Sequence, residues 1–324
     1  MGEINLFSII IPTFNSADTI LETLESVIKT KEKKLEIIIA DDGSTDDTVE
    51  IINSKRIPNL KILNCSHMGP ANIKNFAMEQ VNGEYVCFLD SDDLIEKDYF
   101  RVLRKNTVSN PDLLVFDYIT FNDGTDSKKS NQKVSLTMFG MGTMIWNKVY
   151  SINLIKKIRF PKDTVFEDVG FSSQALLLSK NPLYINKSLY CYRQRFGSIT
   201  KNPHKPVSTH LDVIKGFEEL FSFIANHNLS LPKDRKKDLS ILVNNNLIMH
   251  IRKIISLYDI QDNNVKLTIK KLLKFKDSTN DQFGKCYSFL FSDKTKDNLK
   301  FQAMFFLIKI RLWKLLRIII LKKN

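Results

Sequence analysis

Three carboxylates stand within four residues in the segment Asp90-Ser91-Asp92-Asp93, directly after the apolar run YVCFL. Carboxylates this close repel one another unless a cation or several hydrogen-bond donors offset their charge. Hard oxygen ligands at this density suit Mg²⁺ or Mn²⁺, which bind through one or two carboxylates and complete their shell with phosphates and water. The alternative is an acidic loop that caps a helix beginning near Glu96, but the position at the end of a predicted strand favours a metal site.

Two other acidic pairs follow or precede regular patterns. Asp41-Asp42 directly follows the apolar run LEIIIA and could also provide a ligand. The alternative is that DDGSTDD simply forms a turn, since Asp, Gly and Ser favour turns. Both interpretations can hold together, because a ligand needs only one of the two aspartates. Glu167-Asp168 precedes a helical pattern over 169–178, and an acidic pair is favourable at a helix N-terminus whatever the function. The residue types alone therefore leave the role of each pair open.

The elements that must position these residues alternate along the first part of the chain. Short apolar runs predict strands at 7–11, 35–40, 60–63 and 85–89, and helical patterns lie at 20–28, 48–52 and 73–81. Strands that are apolar on both faces and alternate with helices indicate an α/β fold with a mainly parallel sheet between helices. A ligand then binds beyond the carboxyl ends of the strands, so we expect the clusters at 12–15, 41–42 and 90–93 to converge.

Composition and charge divide the chain in two. With 324 residues, 43% hydrophobic and 26% charged, it is predicted to be a folded protein of about two units. Residues 1–205 carry 26 basic and 25 acidic side chains, whereas residues 206–324 carry 22 basic and 11 acidic ones. The second range is rich in Lys, Asn and Leu and has a helical pattern. We therefore expect a domain boundary near 205 and a basic, α-helical C-terminal region.

Several function classes lack their sequence signature. The four cysteines include no C-x-x-C pair, which fits a reducing cytoplasm, and the first residues, MGEINLFSIIIPTFN, predict no signal peptide. The sequence contains no run of 18 uncharged apolar residues, so it predicts no conventional spanning helix. Dinucleotide (G-x-G-x-x-G), phosphate-loop (G-K-[ST]), serine-hydrolase (G-x-S-x-G) and zinc-peptidase (H-E-x-x-H) motifs are also absent from the sequence.

Four collinear segments, FSIIIPTFN, ADDGSTDDT, GPANIKNFAMEQVNGEYVCFLDSDD and FEDVGF, together resemble the inverting nucleotide-sugar glycosyltransferases of family 2. The resemblance covers about residues 1–200 and implies a GT-A fold. It implies a catalytic domain over 1–205, with a nucleotide-binding half (1–95) and an acceptor-side half (96–205), before the helical region 206–324. It further implies a UDP-sugar-like donor, a divalent ion (Mn²⁺ or Mg²⁺) and a saccharide acceptor.

The resemblance also implies donor-binding residues, which are Pro12, Thr13, Phe14, Asp42, Lys74, Asp90 and Ser91. Phe14 would stack on the nucleobase, with core packing as the alternative. Asp42 would accept from the uracil N–H, Asp90 would face the ribose, and Asp92 would hold the metal. Lys74 stands where the family often has arginine, so it could neutralise a phosphate with less geometric control.

On the acceptor side, the resemblance implies that Asp168 is the catalytic base, because an inverting transfer needs one carboxylate to take the acceptor proton. It gives further acceptor or phosphate contacts at Trp146, Glu167, Arg193 and Arg195. The alternatives are ordinary packing for the tryptophan and a solvated basic turn for the arginines. His204 lies outside this main assignment.

These features favour a cytoplasmic glycosyltransferase of bacterial surface-polysaccharide assembly, such as capsule, acting on a glycan or lipid-linked glycan. A sugar nucleotidyltransferase is a rival, although its Gly-rich basic loop near the first strand is lacking. An inactive nucleotide-sugar-binding protein is another. Nucleic-acid binding is not expected, since the basic region has no reader motif.

The last 24 residues, 301–324, carry six basic and no acidic side chains. They predict an amphipathic helix with one apolar face, and such a helix lies in an anionic membrane interface more readily than it spans a bilayer. This favours a peripheral location on the cytoplasmic face of the plasma membrane. Packing on the catalytic domain or in a homo-oligomer remains the alternative.

Overall fold

The computed structural model describes residues 6–122, 130–162, 164–194 and 205–283. The chain divides into two compact units, an N-terminal unit (Met1–Ser198) and a helical unit (Ile199–Asn324).

The N-terminal unit is built around one mixed sheet with helices between its strands. In chain order the strands are β1 (Phe7–Thr13), β2 (Leu35–Asp41), β3 (Leu60–Asn64), β4 (Tyr85–Phe88), β5 (Leu94–Ile95), β6 (Leu113–Asn122), β7 (Ser130–Gln132), β8 (Lys148–Ser151) and β9 (Pro182–Gln194). The helices are α1 (Ile20–Ile28), α2 (Thr48–Ser54), α3 (Pro70–Met78), α4 (Tyr99–Thr107), α5 (Ile152–Ile155) and α6 (Asp168–Leu178).

The strand order in the sheet is β3-β2-β1-β4-β8-β6-β9-β5, with β7 beside β6. The first four strands pair in parallel, which confirms the predicted α/β sheet. β8 then runs antiparallel to both β4 and β6, and β5 runs antiparallel to β9. The predicted helix near Glu96 begins later, at Tyr99, because the preceding residues Leu94–Ile95 first pair with β9.

β1 and β2 lie inside the parallel half of the sheet and are buried on both faces. All seven residues of β2 are buried, and β1 is buried at all but one position. Strands without a solvent face need helices on both sides, which the α-helical crossovers supply. The core therefore joins strand residues such as Ile9, Ile37 and Cys87 to Leu24 of α1 and Phe100 of α4.

The register brings the polar strand ends to one edge of the sheet. Thr13 of β1 pairs beside Asp41 of β2, and the backbone N–H of Leu89, next to Asp90, donates to the carbonyl of Ile10. The residues that follow β1, β2 and β4 thus share one edge, where the sequence predicts a ligand.

The helical unit contains a 3₁₀ turn (Val207–Leu211) followed by α7 (Asp212–Asn226), α8 (Lys233–Leu257) and α9 (Asn263–Phe283). Residues 205–283 form helices and turns only, which confirms the helical prediction over this range. In the part of the chain that the structure describes, no helix has both the length and the apolar character needed to cross a bilayer. Residues 301–324 lie outside the described ranges, so their amphipathic helix stays a prediction.

Candidate active site

The acidic segment after β4 is fixed on one side by the region around α1. The Ser91 carbonyl accepts hydrogen bonds from the Thr19 and Thr23 hydroxyls at 2.9 and 3.0 Å. The Ser91 hydroxyl lies 2.8 Å from that of Ser16. Ser91, predicted to bind the donor, therefore uses both its carbonyl and its hydroxyl to hold the loop.

Asp93 fixes the other side of the segment to β9. Its buried carboxylate accepts hydrogen bonds from the Tyr190 hydroxyl and the Arg193 backbone N–H, both at 2.7 Å. The Tyr190 oxygen in turn accepts the backbone N–H of Asp90 at 3.1 Å. Burial, reinforced by the Asp90 charge, raises the pKa of Asp93 to about 8. Asp93 is an internal anchor of the loop.

Asp90 lies between opposing charges. Burial raises the pKa of Asp90 to about 7; Lys74 opposes this rise and Asp92 adds to it. A cation bound beside it would favour the ionised form.

Lys74 reaches the acidic pair that opens α6. Its Nζ lies 2.6 Å from Glu167 Oε1 and 3.2 Å from Asp168 Oδ1, and its side chain is 8% exposed. Burial lowers the pKa of Lys74, but Asp168 and Glu167 outweigh it, so the net pKa lies above the ordinary value. Both facing carboxylates compete with a phosphate for this ammonium, and the contact of Lys74 with a donor diphosphate stays a prediction.

The end of β1 carries an exposed ring. Phe14 is 46% exposed, so the alternative of core packing is wrong. Its centroid lies 4.8 Å from the ring of His67, which sequence reasoning did not single out. Thr13 is buried beside it, and Pro12 is partly buried. An aromatic ring with an accessible surface is thus available at the edge where a nucleobase is predicted.

Asp42 organises the loop after β3. Its two carboxylate oxygens accept the backbone N–H groups of Met68 at 2.6 Å and Gly69 at 3.0 Å. Gly69 has φ +85°, a conformation that side-chain-bearing residues rarely adopt, and it leads directly into α3. Asp42 is buried, and its carboxylate keeps further acceptor capacity for a ligand N–H.

Arg193 lies at the end of β9. A phosphate contact in a loop and the alternative of a solvated basic turn would both leave the Arg193 side chain exposed. It is 8% exposed. Its guanidinium donates to the Asp92 carbonyl at 2.6 Å and to Glu22 at 2.5 Å, and it lies 5.0 Å from the Phe121 ring centroid. Arg193 therefore braces the acidic segment from behind.

Trp146 also differs from its prediction as an acceptor contact. The indole is buried, with Tyr190 and Tyr192 stacked on it at centroid distances of 4.3 and 5.4 Å and Tyr118 edge-on. A sugar ring needs an exposed face, so the packing alternative describes this residue. Arg195 and His204 lie outside the described residues.

The model of the family "Glycosyl transferase family 2" matches residues 8–171, half of the chain, and this range holds the acidic segment and the Glu167-Asp168 pair. The chain belongs to glycosyl transferase family 2. The resemblance inferred from the four motifs is thereby confirmed.

Curated family relatives come from bacteria. Glycosyltransferase GlyA of Streptococcus pneumoniae serotype 4 is 31% identical over 60% of this chain and 31% of its own length. GlyG of the same organism is 24% identical over 67% of this chain and 80% of its own length. The putative glycosyltransferase EpsH of Bacillus subtilis is 27% identical over 61% and 63%. The chain thus spans about a third of GlyA and under two thirds of EpsH.

Solved structures share the fold. S. aureus TarS 1-349 in complex with UDP has a TM-score of 0.61 and 22% identity over 86% of this chain and 90% of that chain. Mannosyltransferase PcManGT from Pyrobaculum calidifontis, in complex with GDP-Man and Mn²⁺, has a TM-score of 0.58 and 14% identity over 98% and 85%. At these identities the likeness confirms the GT-A-like α/β architecture.

The family 2 resemblance implies a divalent ion at Asp92. The carboxylates of this segment could supply only some of the ligands of such an ion. Among the described residues no group of three or more His, Cys, Asp or Glu side chains is placed to hold a metal. Asp93 is already bonded to Tyr190 and Arg193, which leaves Asp90 and Asp92. This set fits an ion that takes one or two carboxylates and completes its shell with phosphate and water oxygens.

Sequence patterns missed some residues that hold this family 2 site. Tyr190 carries no sequence signal, since its hydroxyl role depends entirely on the neighbouring loop. Lys148 is fully buried, and its Nζ lies 2.5–3.2 Å from the Asn147 amide oxygen and three backbone carbonyls of the preceding loop. A lysine at the first position of the short strand β8 was the available signal.

Proposed function

We propose that this family 2 chain is an inverting glycosyltransferase that transfers a sugar from a nucleotide-diphosphate donor to a glycan or lipid-linked glycan. The observation that carries this proposal is the meeting of Asp168 with Lys74, whose ammonium also interacts with Asp90 at the strand edge. A base beside a diphosphate site is what transfer to a hydroxyl needs. The curated glycosyltransferase relatives support the activity, and the UDP and UDP-GlcNAc complexes of TarS support UDP-sugars as donors.

Donor binding follows from the edge residues. The exposed ring of Phe14 stacks on the nucleobase, Asp42 accepts a base N–H, and Asp90 faces the ribose. Asp92 would hold a divalent ion, which when bound supplies Lewis-acid neutralisation of charge on the departing diphosphate. The Arg193 and Tyr190 contacts keep this loop rigid while the donor is bound.

Asp168 moves the proton. The acceptor hydroxyl oxygen attacks the anomeric carbon on the face opposite the diphosphate, and the bond from that carbon to the phosphate oxygen breaks with its electron pair leaving on the diphosphate. Asp168 takes the hydroxyl proton in the same step. Its side chain is 32% exposed and its hydrogen bond to Lys74 uses Oδ1, so Oδ2 keeps acceptor capacity for the hydroxyl. A single displacement inverts the anomeric centre.

The setting we propose is bacterial surface-polysaccharide assembly on the cytoplasmic side of the plasma membrane. The basic composition of residues 206–324 and the bacterial relatives support it. Residues 301–324 would then contact the anionic lipid surface beside a lipid-linked acceptor.

The direct test is nucleotide release from a panel of UDP-, GDP- and TDP-sugars with Mn²⁺, with Mg²⁺ and with chelator. We expect nucleoside diphosphate release from a UDP-sugar, lost in chelator. Release of pyrophosphate from nucleoside triphosphate and sugar phosphate would instead identify a nucleotidyltransferase. Binding of nucleotide sugars without turnover on any acceptor would identify an inactive binding protein.

A further inference from the structure

Two consecutive residues of α3 join the nucleotide-binding strands to the segment that carries the proposed base. Asn75 exchanges two hydrogen bonds with the Phe160 backbone: its Nδ2 donates to the carbonyl at 3.0 Å, and its Oδ1 accepts the N–H at 2.9 Å. Lys74 lies 5.2 Å from the Phe160 ring centroid and pairs with Glu167 and Asp168. The two side chains therefore contact both ends of the segment 160–168.

The ammonium of Lys74 is committed to these partners. Two of its three N–H groups meet carboxylate oxygens, and the side chain is almost out of contact with solvent. A donor phosphate that displaced Glu167 from Nζ would leave that carboxylate buried without compensation. Such a buried, unpaired charge costs far more than the exchange returns.

The acidic pair is asymmetric. Glu167 is as buried as Lys74 and makes the shorter contact, so it neutralises the ammonium. Asp168 makes the longer contact through Oδ1 only and keeps about a third of its side chain exposed. One carboxylate thus compensates the lysine, while the other is oriented by it with an oxygen left for a ligand.

We infer that Lys74 is a positioning residue that orients the Asp168 carboxylate toward the acceptor hydroxyl and does not bind the donor. This inference rests on the proposed role of Asp168 as the general base. Asn75 assists by fixing the backbone at Phe160, so that α3 sets the distance between the base and the donor edge of the sheet.

The charges that face Asp168 come from several elements. Lys74 comes from α3, Asp90 follows β4, and Lys148 and Tyr150 belong to β8, while Glu167 is its chain neighbour. Removing the Lys74 cation leaves Asp168 facing mainly like charge, which favours its protonated form. The base would then be lost at a higher pH than in the native protein.

The test compares Lys74→Met, which keeps length and loses charge, with Lys74→Arg and with the exposed-lysine control Lys105→Met. For Lys74→Met we expect a kcat lower by about 10- to 100-fold, since a small misplacement of a catalytic group costs that much. The affinity for UDP, measured by calorimetry, should stay within about 2-fold, because no phosphate contact is lost. The acidic limb of the pH–rate profile should move to higher pH, and Lys74→Arg should restore part of both effects. A large loss of UDP affinity with an unmoved pH profile would overturn the inference.

A second measurement does not need turnover. Unfolding midpoints in urea are compared for Lys74→Met, Glu167→Gln and the double variant. We expect Lys74→Met to destabilise the fold and the added Glu167→Gln to recover part of the loss, since it removes the stranded charge. Additive effects would overturn the pairing even if every variant binds UDP. If the native protein transfers no sugar, the proposed function fails, while UDP affinity and this cycle still decide the role of Lys74.

Discussion

The two units of the chain differ in whether they bury charged side chains in addition to uncharged polar ones. In the described part of the N-terminal unit, charged groups are buried at Glu36, Asp41, Asp42, Lys74, Asp93, Asp117, Lys148, Glu167 and Arg193. In the described part of the helical unit, the buried polar groups are uncharged amides, hydroxyls and imidazoles at His210, Ser240, Asn244, Asn245, Asn246, His250, Thr268, Thr279 and Asn280.

In the N-terminal unit each buried ionisable group of the site has polar partners, although burial also raises the pKa of Asp93 to about 8 and lowers that of Lys148 to about 7. Lys74 meets two carboxylates, Asp93 meets a hydroxyl and an N–H, and Lys148 meets a cage of carbonyls. Buried charges are expensive, so they persist where good geometry offsets the loss of hydration. The unit retains them at the strand edge, where charge separation is useful for catalysis.

The helical unit uses neutral pairs. Asn244 of α8 donates to Asn280 of α9 at 3.0 Å, and the Nδ1 atoms of His210 and His250 lie 2.9 Å apart. Burial lowers the pKa of His210 to about 4 and that of His250 to about 3. Near neutral pH both imidazoles are therefore uncharged.

The largest expected effect comes from Asp92→Asn. If Asp92 holds the ion on the diphosphate, turnover should fall by about 10³-fold or more, since such an ion supplies several kcal/mol of charge stabilisation. Metal-dependent donor binding should weaken, while the fold survives because carboxylate repulsion is relieved. Nucleotide release and thermal melting measure both, with Asp281→Asn on exposed α9 as control. Unchanged turnover, or full activity in chelator, would remove the metal from the mechanism.

Asp168→Asn tests the proton acceptor. The amide keeps the shape but cannot take a proton, so we expect the rate to fall by about 10²- to 10⁴-fold. Donor affinity should barely change. A collapse of donor affinity together with the rate would mean that Asp168 acts on the donor side or in the structure.

Lys148→Met tests whether the N-terminal unit depends on its caged ammonium. The substitution leaves the Gly142 carbonyl without its side-chain donor, while the carbonyls of Met141 and Met144 keep Asn147 and Ser172 as donors, so we expect the free energy of unfolding to fall by about 2 kcal/mol. Urea denaturation measures it, with the exposed-lysine variant Lys105→Met as the reference. Native-like stability of Lys148→Met would show that water or backbone shifts replace the ammonium.

The histidine pair predicts the pH response of the helical unit. Since folding lowers both pKa values, the unfolded chain binds more protons below pH 6.5, and stability falls as the pH drops toward 4. The expected slope is about 1 kcal/mol per pH unit for each histidine. Hydrogen exchange of α8 peptides, corrected for intrinsic rates, should show it, and the double variant His210→Gln, His250→Gln should flatten it. An unchanged slope in that variant would point to other groups.

The smallest effect concerns an amide. Among the described residues Asn245 of α8 is buried with no hydrogen-bond partner for either side-chain atom. Asn245→Leu should therefore stabilise the helical unit by about 1 kcal/mol, because it removes an amide that is desolvated in the folded state without a compensating hydrogen bond. Asn244→Leu is the matched control and should destabilise, since it breaks the bond to Asn280. Urea midpoints that fall for both would indicate that Asn245 finds a partner in solution.

The catalytic geometry depends on contacts that local patterns do not encode. Nothing in the sequence around Lys74 indicates that its partners lie 93 and 94 residues later in the chain. The family resemblance implied a contact with a donor phosphate instead. Arg193 and Trp146 were predicted to meet ligands, yet Arg193 is buried at the end of β9 and Trp146 is buried just before β8. A polar or aromatic side chain takes its role from whatever the distant chain brings next to it.

Local sequence patterns were sufficient to predict the parallel half of the sheet, the carboxylates at its edge and the helical character of 206–283. These follow from local patterns, because two-sided apolar strands must be covered by helices, and parallel strands end at the same edge. The folded arrangement was needed to show that Lys74 faces Glu167 and Asp168, that Asp93 is an anchor and that Phe14 is exposed. Those outcomes arise from long-range packing, in which burial and charge compensation select one partner among many of suitable chemistry.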